Sequence, residues 1–370
     1  MRYDAAVIGM GRVGLAAAYD LKRMGYKVIG LDISSSALEK ASSRIGIDVY
    51  EIDPGFKWMD TFNLDVDIYL MALPLEHTLD YLKRLLNRGC RVVDATSVPE
   101  ERLGEVESWI REGGVAFLYA GLAPGMAQTL AGALYREMDK PERIDIYVGG
   151  LPQNPDESPL LTGITFHSEA FFRQYNRPSR KVVDWEVVTL DPFEDIGRIN
   201  LPGDVELEYF LTDGLKSLLK TLKIKYLAEY TLRIPGHISR MKLLRDLGYL
   251  DWEDIKVDGC RVKPIKFTAQ LLGERLSDID RDWVALAVYG YRDGVRTILY
   301  SYIHYNEDLG FTAMQMATGF NLARFSKLVL DNNLDGLMLP EYIGMDEDLY
   351  KAYIELIGEA GIKVSRVVEI

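Results

Sequence analysis

Gly9-Met10-Gly11-Arg12-Val13-Gly14 is the segment whose residue types and spacing point most directly to chemistry. It follows the apolar run Ala5-Ala6-Val7-Ile8 and opens a stretch with helical periodicity. A diphosphate can rest on a helix N-terminus only where the backbone approaches it without Cβ atoms in the way. Gly9 permits the tight turn out of the strand, Gly11 lets the chain pass close to the pyrophosphate, and Gly14 lets the helix pack on the sheet. Met10, Arg12 and Val13 belong to the same turn. A second strand, Lys27-Val28-Ile29-Gly30-Leu31, ends at Asp32, where a ribose-binding carboxylate is expected. That carboxylate accepts from two ribose hydroxyls but repels a 2′-phosphate, and Ile33-Ser34-Ser35-Ser36 brings no Arg or Lys to neutralise one. NAD is therefore the expected cofactor, with Ile33 among its contacts. Asp32 can also cap the helix opening near Ser36, where Ser36-Ala37-Leu38-Glu39 has the form of a capping box, and the two roles are compatible.

These residues need a scaffold, and the first third of the chain alternates strand and helix signals in the manner of a doubly wound parallel sheet. Val66-Asp67-Ile68-Tyr69-Leu70-Met71, Arg91-Val92-Val93-Asp94 and Ala116-Phe117-Leu118 read as strands, and residues 76–87 as a helix. Ser97-Val98-Pro99-Glu100 has the form of a second capping box. Ligands of such sheets bind beyond the carboxyl ends of the strands, so Leu73, Pro74, Asp94, Ala95 and Thr96 should rim the dinucleotide crevice. Gly121-Leu122-Ala123-Pro124-Gly125 marks a sharp bend, and residues 126–138 read as the helix leading away.

The character changes from Ile144 onward, toward an α+β domain on a largely antiparallel sheet. Residues 181–190, 283–291 and 297–305 read as strands, the last two as a hairpin across Arg292-Asp293-Gly294. Residues 312–330 read as a helix, with Met314, Ala317, Phe320 and Leu328 as core positions. The helix 346–358 and the strand 364–368 are expected to return to the dinucleotide domain. The expected fold class is thus α/β, a Rossmann doubly wound parallel sheet plus a second α+β domain with a mostly antiparallel sheet. Residues 1–124 and 315–370 form the first domain and residues 125–314 the second.

With 370 residues the chain is long enough for two cores, and 48% hydrophobic with 27% charged residues is ordinary for a globular protein. A net charge of -13 argues against nucleic acid or an anionic membrane as partner. Cys90 and Cys260 lack metal-ligand spacing and are too few for a disulfide framework, and His77, His167, His237 and His304 are scattered. No metal site is expected, and reduced thiols suit the cytoplasm. Neither a signal peptide nor a membrane-spanning run is evident.

Phe210-Leu211-Thr212-Asp213-Gly214-Leu215 and Glu229-Tyr230-Thr231-Leu232-Arg233-Ile234-Pro235-Gly236-His237 carry a resemblance that extends over nearly the whole chain. With Ala123-Pro124-Gly125, Gly149-Gly150-Leu151-Pro152, Thr312-Ala313-Met314 and Gly336-Leu337-Met338-Leu339-Pro340-Glu341, the chain resembles the saccharopine dehydrogenase family, with lysine 6-dehydrogenase as its nearest branch. The resemblance implies NAD(P)-dependent oxidation at a C–N bond of lysine or of a lysine adduct, and a homodimer formed through the sheet of the second domain. In both branches hydride leaves the carbon next to nitrogen for C4 of the nicotinamide, and water attacks the resulting imine.

That step needs a neutral amine, hence a base or a desolvated pocket, because the free amine pKa is about 10.4. It also needs an anchor for the α-carboxylate, for which a guanidinium is best suited. With the resemblance in hand, Arg233 is expected to bind carboxylate and His237 to assist proton transfer. The structural alternatives are a salt bridge and a packing histidine. Asp213 could hold the α-ammonium, orient His237 or cap a helix, with Thr212 beside it. Ala123, before Pro124 and Gly125 in the substrate-facing bend, stands where the saccharopine-reducing relatives typically carry Asp, which weakens the saccharopine reading. Phe166-His167-Ser168-Glu169 replaces a family Trp-Ser-Pro segment, making His167 and Ser168 further substrate contacts. Arg177-Pro178-Ser179-Arg180 resembles the segment that follows in lysine dehydrogenases. A saccharopine dehydrogenase and a non-catalytic NAD-binding sensor stay open as rivals.

Overall fold

Residues 5–8 and 68–71 are buried without alternation, which is how strands read when both faces of a parallel sheet are covered. The computed structural model describes residues 2–61, 64–164, 168–276 and 281–370. In chain order the first strands are β1 (Arg2–Ile8), β2 (Val28–Asp32), β3 (Asp48–Glu51), β4 (Asp65–Met71), β5 (Arg91–Asp94) and β6 (Val115–Phe117). There follow β7 (Arg143–Pro152), β8 (Ser179–Val183), β9 (Glu186–Leu190), β10 (Ile196–Leu201), β11 (Val205–Leu211) and β12 (Tyr226–Arg233). The last are β13 (Ile255–Val257), β14 (Cys260–Val262), β15 (Asp282–Arg292), β16 (Val295–His304), β17 (Gly336–Met338) and β18 (Ser365–Glu369).

The chain divides into two units, of which the first comprises Met1–Arg136, Lys216–Leu218 and Gln315–Lys363. Among the described residues its sheet has seven strands in the order β17-β6-β5-β4-β1-β2-β3, all parallel. The winding reverses between β4 and β1, so the carboxyl ends of these two strands form the topological switch point where ligands of such sheets bind. The helices α1 (Arg12–Arg23) and α2 (Ser35–Ile45) lead away from β1 and β2.

A C-terminal helical run completes this unit: α-helical Ala313–Gln315, a π-helical turn Met316–Phe320 and α-helical Asn321–Asp331. It packs on α1 so closely that a Cβ on Gly319 would lie 2.6 Å from the Val13 carbonyl oxygen. Beside that contact Arg324 grips Asp20 of α1 bidentately, Nε to Oδ2 at 2.6 Å and Nη2 to Oδ1 at 3.0 Å, with both side chains buried.

The second unit comprises Glu137–Leu215, Leu219–Met314 and Val364–Ile370. Its main sheet runs β10-β11-β12-β7-β15-β16-β18, with β8 and β9 attached through β12. Only the β12–β7 pairing is parallel among the described residues. Alternation sorts its faces: Tyr147, Tyr230, Leu232, Ala285, Ala287 and Tyr289 pack in one cluster. Leu227, Glu229, Thr231 and Arg233 of β12 therefore point to the other face.

Four local expectations need correction. Residues 181–190 form not one strand but the hairpin β8–β9, because Asp184 (φ 50) and Trp185 (φ 73) both take the left-handed conformation that a two-residue turn requires. The strand expected at 364–368 is β18, and it joins the second unit, pairing antiparallel along the outer edge of β16. Ser34, not Ser36, caps α2: Ser34 is extended and its Oγ accepts from the Ala37 N–H at 3.4 Å. Residues 97–100 do not form a capping box, since a 3-10 turn Glu100–Arg102 intervenes and Pro99 offers no side-chain cap.

Candidate active site

In the first unit the glycine turn separates into what the fold needs and what a ligand needs. A Cβ on Gly9 (φ 93) would sit 2.5 Å from the Ala72 carbonyl oxygen, and one on Gly14 would sit 1.8 Å from that of Gly9. A Cβ on Gly11 meets nothing within 4 Å. The protein itself thus requires glycine at the outer two positions, whereas the space beside Gly11 is open. No side chain caps α1 at Gly11, which leaves an anion to meet the helix N-terminus. Met10 is buried with its Sδ against Gly30, whereas Arg12 is exposed and Val13 half-buried.

Asp32 ends β2 and accepts from the Met10 N–H (2.5 Å) and the Ser34 N–H (2.8 Å), which fixes its carboxylate beside the turn. Ile33 next to it is 59% exposed, an apolar surface of the kind a planar base covers. Leu73 and Pro74 follow β4, and the Leu73 side chain lies 3.2 Å from a Cβ built on Gly9. Asp94 ends β5 and Ala95 and Thr96 follow it, held to β4 by the Ala95 N–H on the Met71 carbonyl (3.1 Å). The structure therefore gathers the ends of β1, β2, β4 and β5 on one edge of the sheet.

Asp94 is fully buried, accepts the Thr96 hydroxyl on Oδ1 at 2.7 Å, and has no hydrogen-bond partner on Oδ2 among the described residues. Burial raises its pKa to about 7, against the smaller opposing effect of the Thr96 hydrogen bonds. Thr96 in turn meets the Thr78 hydroxyl at 3.0 Å. The bend at Ala123, Pro124 and Gly125 contains a cis Ala123-Pro124 peptide, and the Gly125 N–H donates to Gln128 Oε1 at 2.7 Å.

In the second unit Arg233, the last residue of β12, and His237, the first residue of the helix His237–Asp246, converge on a side chain that sequence reasoning missed. Arg233 Nε donates to the Tyr175 hydroxyl at 2.9 Å, and the same oxygen lies 2.7 Å from His237 Nε2. His237 Nδ1 is 2.6 Å from the Leu160 carbonyl oxygen, which can only accept. Nδ1 therefore carries the proton, and Tyr175 donates to Nε2 while it accepts from Arg233. Burial depresses the His237 pKa to about 3, with the Arg233 charge next in importance, so the ring is neutral near neutral pH.

Arg233 is 4% exposed, its Nη1 donates to the Leu232 carbonyl at 2.9 Å, and Phe171 and Phe210 flank the guanidinium. It forms no carboxylate ion pair among the described residues. Glu208, directly across from it in the β11–β12 register, turns its oxygens to the N–H groups of Gly236 (3.0 Å) and Ile238 (2.5 Å) instead. Phe210, two residues on in β11, marks Glu208 as facing inward, a signal that period-2 reading could have used. Nothing near Tyr175 in sequence offers a comparable hint.

The remaining expected residues of the second unit make no hydrogen bond to this trio among the described residues. Asp213 is held by Arg177 (2.5 Å) and by Arg180 (Nε to Oδ1, 2.7 Å), not by His237. Thr212 meets Thr231 hydroxyl to hydroxyl at 3.0 Å. Ser168 opens the helix Ser168–Arg173 and packs on Gly273, whose Cβ would lie 2.9 Å from its own. His167 lies outside the described residues. No helix among the described residues is long and apolar enough to cross a membrane.

Comparison with known proteins identifies the family of both units. Residues 4–136 match the NAD binding domain of 6-phosphogluconate dehydrogenase. Residues 121–362 match the saccharopine dehydrogenase C-terminal domain. Among solved structures the chain is similar to an apo saccharopine dehydrogenase (L-Glu forming) from Saccharomyces cerevisiae, with 17% identity, all of both chains covered and a TM-score of 0.81. It also matches a probable dehydrogenase from Thermotoga maritima, at 12% identity, 99% of this chain, 98% of that chain and a TM-score of 0.44. That second likeness is too loose to bear on the argument. The first unit is thus an NAD-binding Rossmann domain, and a family match across most of the chain joins it to the second: this protein belongs to the saccharopine dehydrogenase family of NAD-dependent oxidoreductases.

Proposed function

We propose that the protein catalyses NAD-dependent oxidative deamination of the side-chain amine of L-lysine. Hydride leaves C6 for C4 of the nicotinamide, the amine proton is released, water adds to the imine, and ammonia departs to leave the 6-semialdehyde. The observation that carries this reading is Arg233, a buried guanidinium whose hydrogen-bond partners are the neutral Tyr175 and a carbonyl. A buried cation without an anion is costly, and an amino-acid carboxylate relieves that cost. Arg233 thus anchors the α-carboxylate, and His237, held neutral, fixes the Tyr175 hydroxyl against which Arg233 is braced. Desolvation of the bound amine favours its neutral, hydride-donating form.

In the same reading Ala123, Pro124, Gly125, Ser168, His167 and Thr212 contribute substrate contacts, and Asp213 steadies Arg177 and Arg180. The first unit, Met1–Arg136 with Gln315–Lys363, serves the cofactor and the second the substrate. The enzyme works in the cytoplasm as a homodimer through its second sheet, as the family resemblance implies. The supporting test is NADH formation, followed by absorbance, with L-lysine as substrate for the wild type and for Arg233→Ala. The variant should keep its NADH affinity and lose turnover or gain KM.

A second reading, saccharopine dehydrogenase, draws on Arg177, whose side chain is 49% exposed while one end rests on Asp213. It is a cation within reach of solvent of the kind two additional carboxylates would need. Saturation by saccharopine and not by lysine in the same assay decides for it. Failure of both amines and of related ones to reduce NAD would leave a binding protein without turnover.

A further inference from the structure

The N-terminus of α2 has the makings of a phosphate site and is arranged to refuse one. Ser34, Ser35 and Ser36 open an eleven-residue helix directly after Asp32, and hydroxyls at a helix N-terminus are good donors to phosphate oxygens. Here those hydroxyls are committed elsewhere. Ser34 Oγ accepts from the Ala37 N–H and lies 3.0 Å from Ser36 Oγ. The Ser35 hydroxyl donates to Glu51 Oε2 at 2.7 Å. Glu51 ends β3, and in the parallel β2–β3 register it is the direct partner of Asp32. Residues paired across adjacent strands place their side chains on the same face of the sheet. Two carboxylates therefore stand side by side at the end of β2, where an adenosine ribose would be held, and one of them accepts a hydrogen bond from the middle serine.

We infer that Glu51 is a specificity-determining residue for the coenzyme: together with Asp32 it forms a double acidic wall that admits a ribose bearing two hydroxyls and rejects one bearing a 2′-phosphate. This rests on NAD occupying the first unit. A ribose hydroxyl can donate to a carboxylate, whereas a phosphate brings negative charge against two negative charges and finds the Ser35 hydroxyl turned away. It follows that neutralising Asp32 alone leaves half of the barrier standing.

The test is a fluorescence titration of the full chain with NADH and with NADPH at low ionic strength. Glu51→Gln keeps an acceptor for Ser35 and removes the charge. It should raise the NADPH to NADH affinity ratio on the order of fivefold, and Glu51→Lys should raise it further. The gain should shrink as salt is added. Glu112→Gln, which removes an exposed carboxylate before β6, four strands beyond β2, is the control for net charge. An unchanged ratio in both Glu51 variants, or an equal gain in the control, overturns the inference. Absence of NADH binding by a folded wild-type sample would instead bring down the cofactor assignment itself.

Discussion

Tyr175 and His237 share a hydrogen bond of 2.7 Å in which the phenol is the donor, because the other imidazole nitrogen faces the Leu160 carbonyl. That direction leaves a phenol lone pair for Arg233 Nε. One neutral histidine thereby sets the orientation of a cation one step away. Tyr175→Phe removes both the acceptor for Arg233 and the donor to His237. A lost hydrogen bond to a charged group is worth about 1.5–3 kcal/mol, so the lysine KM should rise on the order of tenfold or more. Steady-state kinetics beside a thermal melt separates this from simple unfolding; an unchanged KM would remove Arg233 from the carboxylate role.

The buried His237 makes the protein sensitive to acid. Its folded pKa of about 3 lies below the ordinary value of 6.5, so the unfolded chain takes up a proton first as pH falls. Its contribution is fully present above pH ~6.5 and is lost toward pH ~3, at about 1.4 kcal/mol per pH unit. Denaturant melts at successive pH values should show a shallower acid slope in His237→Gln than in the wild type. Identical slopes would mean that the ring is charged or solvated.

Asp94 predicts the opposite trend. Its folded pKa of about 7 lies above the ordinary 3.8, so the native state holds its proton more tightly than the unfolded chain between those values. Stability from this group is therefore present in acid and lost as pH rises toward neutrality. Asp94→Asn should gain on the wild type as pH is raised from 5 to 8, read as a widening difference in Tm. A constant difference would show that a donor reaches Oδ2.

Gly11 and Gly14 should respond differently to one added methyl group. Gly11→Ala has open space and should leave the melting temperature within a few degrees while weakening NADH binding at least tenfold. Gly14→Ala meets a backbone oxygen at 1.8 Å and should destabilise the first unit itself. Equal loss of stability in the two variants would count against a ligand-imposed role for Gly11.

Breaking the Arg324–Asp20 pair should be costly, since each charge is buried and the bonding is bidentate. Arg324→Met leaves Asp20 with Arg23, whose own side chain is 36% exposed. Destabilisation near the ~3 kcal/mol end of the range for a broken buried pair is expected, and Asp20→Leu added to it should recover part of the loss. Chemical denaturation of the single and double variants reads this directly.

Legibility in the sequence followed the range of the interaction. The glycine turn, its strand and Asp32 are local, and local patterning placed them correctly at the carboxyl edge of a parallel sheet. The β8–β9 turn was hidden because Asp184 and Trp185 adopt left-handed backbone without a glycine to announce it. Tyr175 was invisible because it meets Arg233 and His237 across 58 and 62 positions. Glu51 escaped notice for a related reason: only the strand register brings it beside Asp32. The partner of β18 likewise depended on which sheet had an open edge, a property of the assembled fold.

The long reach of Arg324 to Asp20, 304 positions apart, has a bearing on biogenesis. A polypeptide leaving the ribosome exposes the opening β-α turn first, yet the helix that braces it is made after nearly all of the other unit has emerged. The nucleotide-binding half must wait in an incomplete state through most of translation. Its maturation is thus tied to synthesis of the segment that carries Arg324, and early cofactor capture would have the greatest effect on yield before that point.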